Sequence, residues 1–197
     1  LEAARRVFLE NGLPGASIDE IARRAHAGKP TIYARYPTKE ALFAAVIMHN
    51  ATHVQAQFAD EPPTGNTVEE RLVSLGITIL KRLLTGDTID FMRLSATEAR
   101  RFPGLVNVGR KVREKATQAA TKVLREIASS DEIAAFPGLA PERLEINTHF
   151  FLDLVVSRFM LRALLGEPPQ PLHAQIETHV SQGVAFFLAA CRGSAIR

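Results

Sequence analysis

A single cysteine, Cys191, stands in a chain of 197 residues. That excludes a disulfide framework and any cysteine-based zinc site, and it fits a reducing, cytoplasmic setting. Long apolar runs are also scarce. The longest uncharged, mainly apolar stretch toward the end is Gly183–Cys191, nine residues, whereas a membrane-spanning helix needs about 20. No membrane partner is expected. No segment reads convincingly as a strand, and there is neither an internal repeat nor a low-complexity tract. Catalytic signatures are missing too: Ser157 has no glycine elbow, no glycine-rich phosphate loop follows a strand, and no carboxylate pair stands in a recognisable arrangement. Catalytic residues, cofactors and metal ligands are therefore not expected, and an enzyme reading has no residue to rest on. No signal-peptide pattern is seen. Leu1 already lies in helical pattern, so a few native residues are expected ahead of it.

What is present describes an ordinary globular chain, 46% hydrophobic and 23% charged, long enough for one large domain or a small and a medium one. The net charge of +3 says little by itself about nucleic acid. Its distribution says more: between Gly28 and Lys39 stand Lys29, Arg35 and Lys39 with no acidic residue. A local cluster is the footprint of a phosphate-binding surface, although a solvated helix face looks the same on charge alone.

Apolar residues recur at helical spacing almost throughout, which predicts an all-α fold of about nine helices. Leu1, Ala4 and Phe8 form a first stripe that stops at Asn11-Gly12. Ser17 and Glu20 read as a capping box opening a second helix with Ile18, Ile21, Ala22 and Ala25. A third, short helix runs from about Lys29 to Arg35. Thr38 caps a fourth, Lys39 to about Asp60, with Phe43, Ile47, Asn50, Val54 and Phe58 on one face. Glu61 to Asn66 reads as a linker. Further helices are expected at about 67–85, 88–101, 105–130, 141–165 and 172–191. The domain reading is 1–47 for a helix-turn-helix head and 48–197 for the helical body.

The helix at 141–165 is apolar on two sides, with Phe150, Leu154, Ser157, Leu161 and Leu165 on one and Leu144, Phe151, Val155 and Phe159 on the other. The last helix carries Ile176, Val180, Gly183, Val184, Phe187 and Cys191, with Gly183 allowing close approach. A helix apolar on two faces is buried on two faces, so these helices are expected to form a homodimer interface through Leu154, Ser157, Leu161, Ile176, Val180, Gly183, Val184 and Phe187. Core packing within one chain is the alternative. Phe91, Met92, Phe102, Phe151 and Phe159 are candidates for lining a small-molecule pocket, against the simpler reading that they are core. His49 and His53 stand four apart but lack a third ligand, so they read as surface residues. Glu98, Asp153 and Arg158 interrupt apolar helices and are expected to pair structurally, against the alternative that they place polar groups in a ligand cavity.

Chemistry concentrates in Ile18–Tyr36. Two short helices joined around His26-Ala27-Gly28, with small Ala22 and Ala25 at the crossing and Ile18, Ile21 and Ile32 beneath, meet the requirements of a helix-turn-helix. An ordinary helical hairpin is the alternative. The exposed face would offer Lys29, Thr31, Tyr33, Ala34 and Arg35. Arginine bonds guanine O6 and N7, while hydroxyls and lysine suit phosphates. His26 occupies a turn position that needs a left-handed backbone, which histidine tolerates better than most residues.

The runs Ser17-Ile-Asp-Glu-Ile-Ala-Arg-Arg-Ala and Lys29-Pro-Thr-Ile-Tyr-Ala-Arg-Tyr-Pro-Thr-Lys-Glu-Ala-Leu-Phe43 resemble the DNA-binding domain of the tetracycline-repressor (TetR) family. The resemblance covers about residues 1–47. Glu98-Ala-Arg-Arg-Phe-Pro103 is similar to a pattern in a multidrug-regulator-like C-terminal subgroup. The resemblance implies a homodimer that places its third helix in the major groove of a palindromic double-stranded DNA operator and is released by a small-molecule inducer. It assigns Lys29, Pro30, Thr31, Tyr33, Ala34 and Arg35 to the recognition helix, Lys39 to a phosphate, and Ser17 and Ile18 to the backbone-facing start of the second helix. A helical sensor or carrier without DNA binding, and an activator, are the alternative functions.

Overall fold

The computed structural model describes residues 1–59, 62–129 and 134–193, and of residues 54–59 the backbone alone. The described residues are helical wherever they are regular: α1 (Glu2–Gly15), α2 (Ile18–Arg24), α3 (Lys29–Arg35), α4 (Lys39–Ala59), α5 (Val68–Leu83), α6 (Gly86–Ala99), α7 (Gly104–Ile127), α8 (Leu144–Leu152), α9 (Arg158–Leu164), α10 (Pro169–His173) and α11 (Ile176–Arg192). A π turn, Asp153–Ser157, carries α8 directly into α9, so the expected single helix at 141–165 is continuous but locally widened. The short α10 precedes α11 as a separate turn of helix. Val54, Phe58 and Glu61 fall outside the described side chains.

Helix ends follow local chemistry, with one correction. Gly12 breaks α1 with φ 66°, a backbone state cheap only for glycine. The expected Ser17–Glu20 capping box does not form: Ser17 stands at the N-cap without a side-chain bond. The Glu20 carboxylate instead takes bonds from Arg23 and Arg24, at 2.6 Å each. Charge-assisted bonds to guanidinium outcompete a neutral backbone N–H. A reciprocal capping box forms at the start of α5, between Thr67 and Glu70. Thr38 caps α4 as expected, its Oγ1 accepting from the Ala41 N–H at 3.1 Å.

The chain folds as two compact units. The first comprises Leu1–His53 with Asp90–Arg113. Its core gathers Val7, Phe8, Leu13, Ile21, Phe43 and Phe91, among others. Phe43 packs edge-on to Phe8, ring centroids 5.0 Å apart, and lies 5.3 Å from Phe91. Such ring pairs add roughly 0.5–1.5 kcal/mol beyond the burial of their area.

The second unit comprises Val54–Ile89 with Glu114–Arg197. Leu72, Leu80, Leu124, Phe151, Val155, Phe159, Val180 and Val184 belong to its core. Gly76 is the point of closest approach between α5 and its neighbours. A Cβ there would lie 2.7 Å from Val180 Cγ1 and 3.0 Å from Val155 Cγ1. The His179 ring lies against Phe159, centroids 4.5 Å apart, and its Nε2 stands 3.0 Å from the Val155 carbonyl oxygen in the π turn.

The two faces expected for 141–165 separate except at Leu154, expected on the outer face, which is half-buried and packs against the core. Leu144, Phe151, Val155 and Phe159 are buried, while Phe150, Leu161 and Leu165 are 53%, 59% and 80% exposed. The expected stripe on α11 points the other way. Ile176, Val180, Val184 and Phe187 are buried in this unit's own core, so their side chains are unavailable to a partner. The outward apolar residue of α11 is their neighbour Phe186, at 68% exposure. Periodicity locates an apolar stripe but not what covers it.

Candidate nucleic-acid interface

The turn between α2 and α3 is closed by backbone alone. His26 adopts φ 50°, the one non-glycine residue with positive φ among those described. That left-handed step lets the His26 N–H donate to Arg23 O at 3.3 Å and the Ala27 N–H donate to Ala22 O at 3.0 Å. These two bonds are the paired closure of a Schellman motif, with histidine in the seat that usually holds glycine. Gly28, by contrast, has φ −72° and serves as the N-cap of α3. The turn thereby fixes the angle at which α3 leaves α2.

No residue of α3 is buried. Ile32 is half-buried and packs against the first unit's core, as does Tyr36 just beyond the helix. Lys29, Pro30, Thr31, Tyr33, Ala34 and Arg35 are all exposed. A seven-residue helix held on one apolar contact and two well-formed ends projects its remaining side chains outward, which is the geometry needed to enter a groove.

Ser17 is exposed at the N-cap of α2, but Ile18 is only 7% exposed. Its side chain belongs to the core and is not available as a contact. The Lys39 ammonium donates to Pro14 O at 2.7 Å and to Ala16 O at 3.1 Å. It pins the start of α4 to the end of α1 and keeps one of its three N–H donors for another acceptor.

Carboxylates organise the remaining cations. Lys29 Nζ lies 2.9 Å from Asp19, whose carboxylate raises the lysine's pKa. Arg24 bridges Glu10 and Glu20, and both hold it above its ordinary value. Bonds from Arg23 and then Arg24 draw the Glu20 carboxyl down to about 2. Among the described residues Arg35 has no carboxylate partner; its guanidinium sits 5.8 Å from the centre of the Tyr36 ring, at the edge of cation–π range. It is the cation of α3 free to meet a base or phosphate without first breaking an ion pair. The Glu20 pairs stand three and four residues apart on α2, a spacing visible in the sequence, whereas Asp19–Lys29, Glu10–Arg24 and Lys39–Pro14 join different elements and were not.

The pocket candidates do not assemble into one site. Phe91 is core of the first unit, and Phe102 lines a shallow crevice of about 440 Å³ there, beside Ala44 and Leu105. Phe151 and Phe159 are core of the second unit, and Met92 is 36% exposed. Glu98 lacks the partner expected for it: it is 5% exposed, and its Oε2 has no hydrogen bond. Asp153 instead accepts from Ser157 Oγ at 2.9 Å. His49 and His53 are exposed, and no group of three or more His, Cys, Asp or Glu among the described residues could hold a metal ion. No helix among them is long and apolar enough to cross a membrane.

Two family profiles match the chain, one after the other. Residues 1–46 match the bacterial regulatory proteins of the tetR family, and residues 70–192 match the C-terminal domain of AefR-like transcriptional repressors. The chain belongs to the TetR family. Among solved structures, a TetR-family regulator from Mesorhizobium loti superposes with a TM-score of 0.81 over 96% of this chain and 93% of that one, at 21% identity, a likeness of fold. The flavonoid-responsive regulator FrrA superposes with a TM-score of 0.72 at 28% identity, over 98% and 95% of the two chains. An HTH-type transcriptional regulator of Mycobacterium bovis is 31% identical over 108 residues, 55% of this chain and 50% of its own length. The chain thus spans about half the length of the curated relatives it matches. Within this TetR-family chain, α2 and α3 form the helix-turn-helix.

Proposed function

We propose that this protein is a cytoplasmic transcriptional repressor that binds a palindromic operator as a homodimer and is released by a small molecule. The carrying observation is α3 itself, a helix with no buried residue, angled by the His26 turn and presenting Thr31, Tyr33, Ala34 and Arg35 to solvent. Arg35 reads guanine, Ala34 meets a thymine methyl, and the hydroxyls of Thr31 and Tyr33 take phosphate oxygens. Lys29 and the free N–H of Lys39 add phosphate contacts, and the backbone at Ser17 and Ile18 fixes the depth of α2. Residues 1–47 act as the DNA-binding domain and 48–197 as the ligand-binding and dimerisation domain.

The outward face of α8 through α11, with Phe150, Leu161, Leu165 and Phe186, suits a second copy of the chain. Exposed apolar residues on one face mark an interaction surface. Similarity to a regulator described as flavonoid-responsive supports a small-molecule effector. DNA and effector then oppose each other by linkage: each lowers the other's affinity by the same factor. The test is fluorescence anisotropy with duplex DNA from the region upstream of the gene. Saturable, salt-sensitive binding that Arg35→Ala weakens by about fivefold or more is expected, in line with the loss of one good base contact at ~1–3 kcal/mol. A protein with no salt-sensitive affinity for any duplex overturns the reading.

A further inference from the structure

Charge is divided unequally within the unit that holds the helix-turn-helix. Residues 1–53 carry seven Lys or Arg and five Asp or Glu, a net of +2. Residues 90–113 fold into the same unit and carry six and two, a net of +4. The rest of the chain is net −3. Most of the unit's net positive charge therefore lies in residues 90–113, on either side of the α6–α7 corner.

The two sets of cations also differ in how they are occupied. In residues 1–53, Arg5 and Arg6 lie on Glu2, Arg23 and Arg24 on Glu20, Lys29 on Asp19, and Lys39 on two carbonyls. At the corner, Arg100, Arg101, Lys111 and Arg113 are exposed, and among the described residues none of them forms an ion pair. The two acids of the segment do not offset them: Asp90 is bonded to Arg93, and Glu98 is buried. Exposed cations without an ion pair attract a polyanion, here against the one carboxylate, Glu40, that lines the crevice with Arg101.

Position selects which polyanion. Arg101 lines the same crevice as Glu40 and Ala41, in the first turn of α4. Lys39, the residue assigned to a phosphate, stands immediately before them. Arg101 thus sits beside the part of α4 assigned to the DNA backbone, with the exposed Arg100 next to it in the chain, and exposed charges act over a Debye length of about 8 Å.

We propose that Arg100 and Arg101 form a second phosphate-contacting site, which grips the DNA backbone beside the groove entered by α3 and adds affinity without sequence preference. This rests on the DNA-binding reading above. Lys111 and Arg113, further along α7, strengthen the local field without direct contact.

The test measures affinity from 50 to 250 mM salt for the upstream duplex and for a scrambled duplex of equal length. It compares the wild type with Arg100→Ala/Arg101→Ala, Arg100→Lys/Arg101→Lys and Arg35→Ala. Each lost phosphate contact makes the slope of log K against log salt shallower by about 0.9. The double alanine variant is expected to flatten that slope by about 2 and to weaken both duplexes several-fold alike, while the double lysine variant keeps the slope. Arg35→Ala is expected to weaken the upstream duplex selectively. If the wild type binds and the double alanine variant matches it in slope and affinity, the second site is overturned and the DNA-binding reading stands. If the wild type binds neither duplex, both fall.

Discussion

The Lys29 ammonium lies 2.9 Å from the Asp19 carboxylate, tying the first residue of α3 to the second residue of α2. Both side chains are substantially exposed, 47% and 72%, and exposed pairs contribute little to stability. The pair matters more for the charge presented to DNA. Asp19 screens Lys29 and repels phosphate. Asp19→Asn is expected to raise affinity for any duplex on the order of threefold at low salt, with an effect that fades as salt rises. Anisotropy titrations at 50 and 250 mM salt check it, and a loss of affinity would show that Asp19 positions Lys29 instead of masking it.

His26 is the strained residue of the motif. A left-handed backbone costs an ordinary L-residue roughly 1–2 kcal/mol, and glycine escapes the clash. His26→Gly keeps both Schellman bonds, which are made by backbone. It is expected to stabilise the fold by about 1 kcal/mol, offset in part by glycine's entropy when unfolded, for a rise in Tm of about 2–4 °C at most. A fall in Tm would mean that the imidazole contributes more than its backbone costs.

Phe186 and Phe187 are adjacent in sequence and opposite in role. Phe187 is 2% exposed, with its ring centroid 5.5 Å from that of Phe151, while Phe186 is 68% exposed. Phe187→Ala is expected to cost about 3–5 kcal/mol of stability, as a large core truncation does. Phe186→Ser is expected to leave the circular dichroism spectrum unchanged and to convert dimer to monomer at micromolar concentration in sedimentation velocity. Were Phe186→Ser to remain dimeric, the α8–α11 face would not be where the two copies meet.

Glu20 governs an acid-sensitive part of the head. Its carboxyl falls from the ordinary 4.5 to about 2 in the folded protein because Arg23 and Arg24 donate hydrogen bonds to it. A depressed folded pKa gives stability that is complete above pH 4.5 and is lost as pH falls toward 2. Arg24 also bridges to Glu10, so protonation loosens the contact between α1 and α2. Glu20→Gln is expected to flatten the dependence of Tm on pH between 5 and 2.5, relative to the wild type, with little change in that dependence above pH 6. Parallel profiles for the two proteins would remove Glu20 from the acid response.

The sequence by itself determined the helices, their breaks and the register of the motif, because these depend on neighbours three or four residues away. Gly12, Pro37 and Thr38 act where they stand, and the left-handed step at His26 follows from the turn that two short helices require. The two-faced pattern of 141–165 was likewise legible as periodicity. Tertiary structure alone decided what each face meets. It turned Ile176, Val180, Val184 and Phe187 inward and left Phe186 outside, since an apolar stripe is equally satisfied by its own core or by a partner. It gave Glu20 to two arginines in place of a helix cap and Lys39 to the carbonyls of Pro14 and Ala16. It also brought residues 90–113 into the unit that carries the helix-turn-helix. Ion pairs between elements, such as Asp19–Lys29 and Glu10–Arg24, and the sharing of charge between distant segments depend on distances in space, which no spacing along the chain encodes.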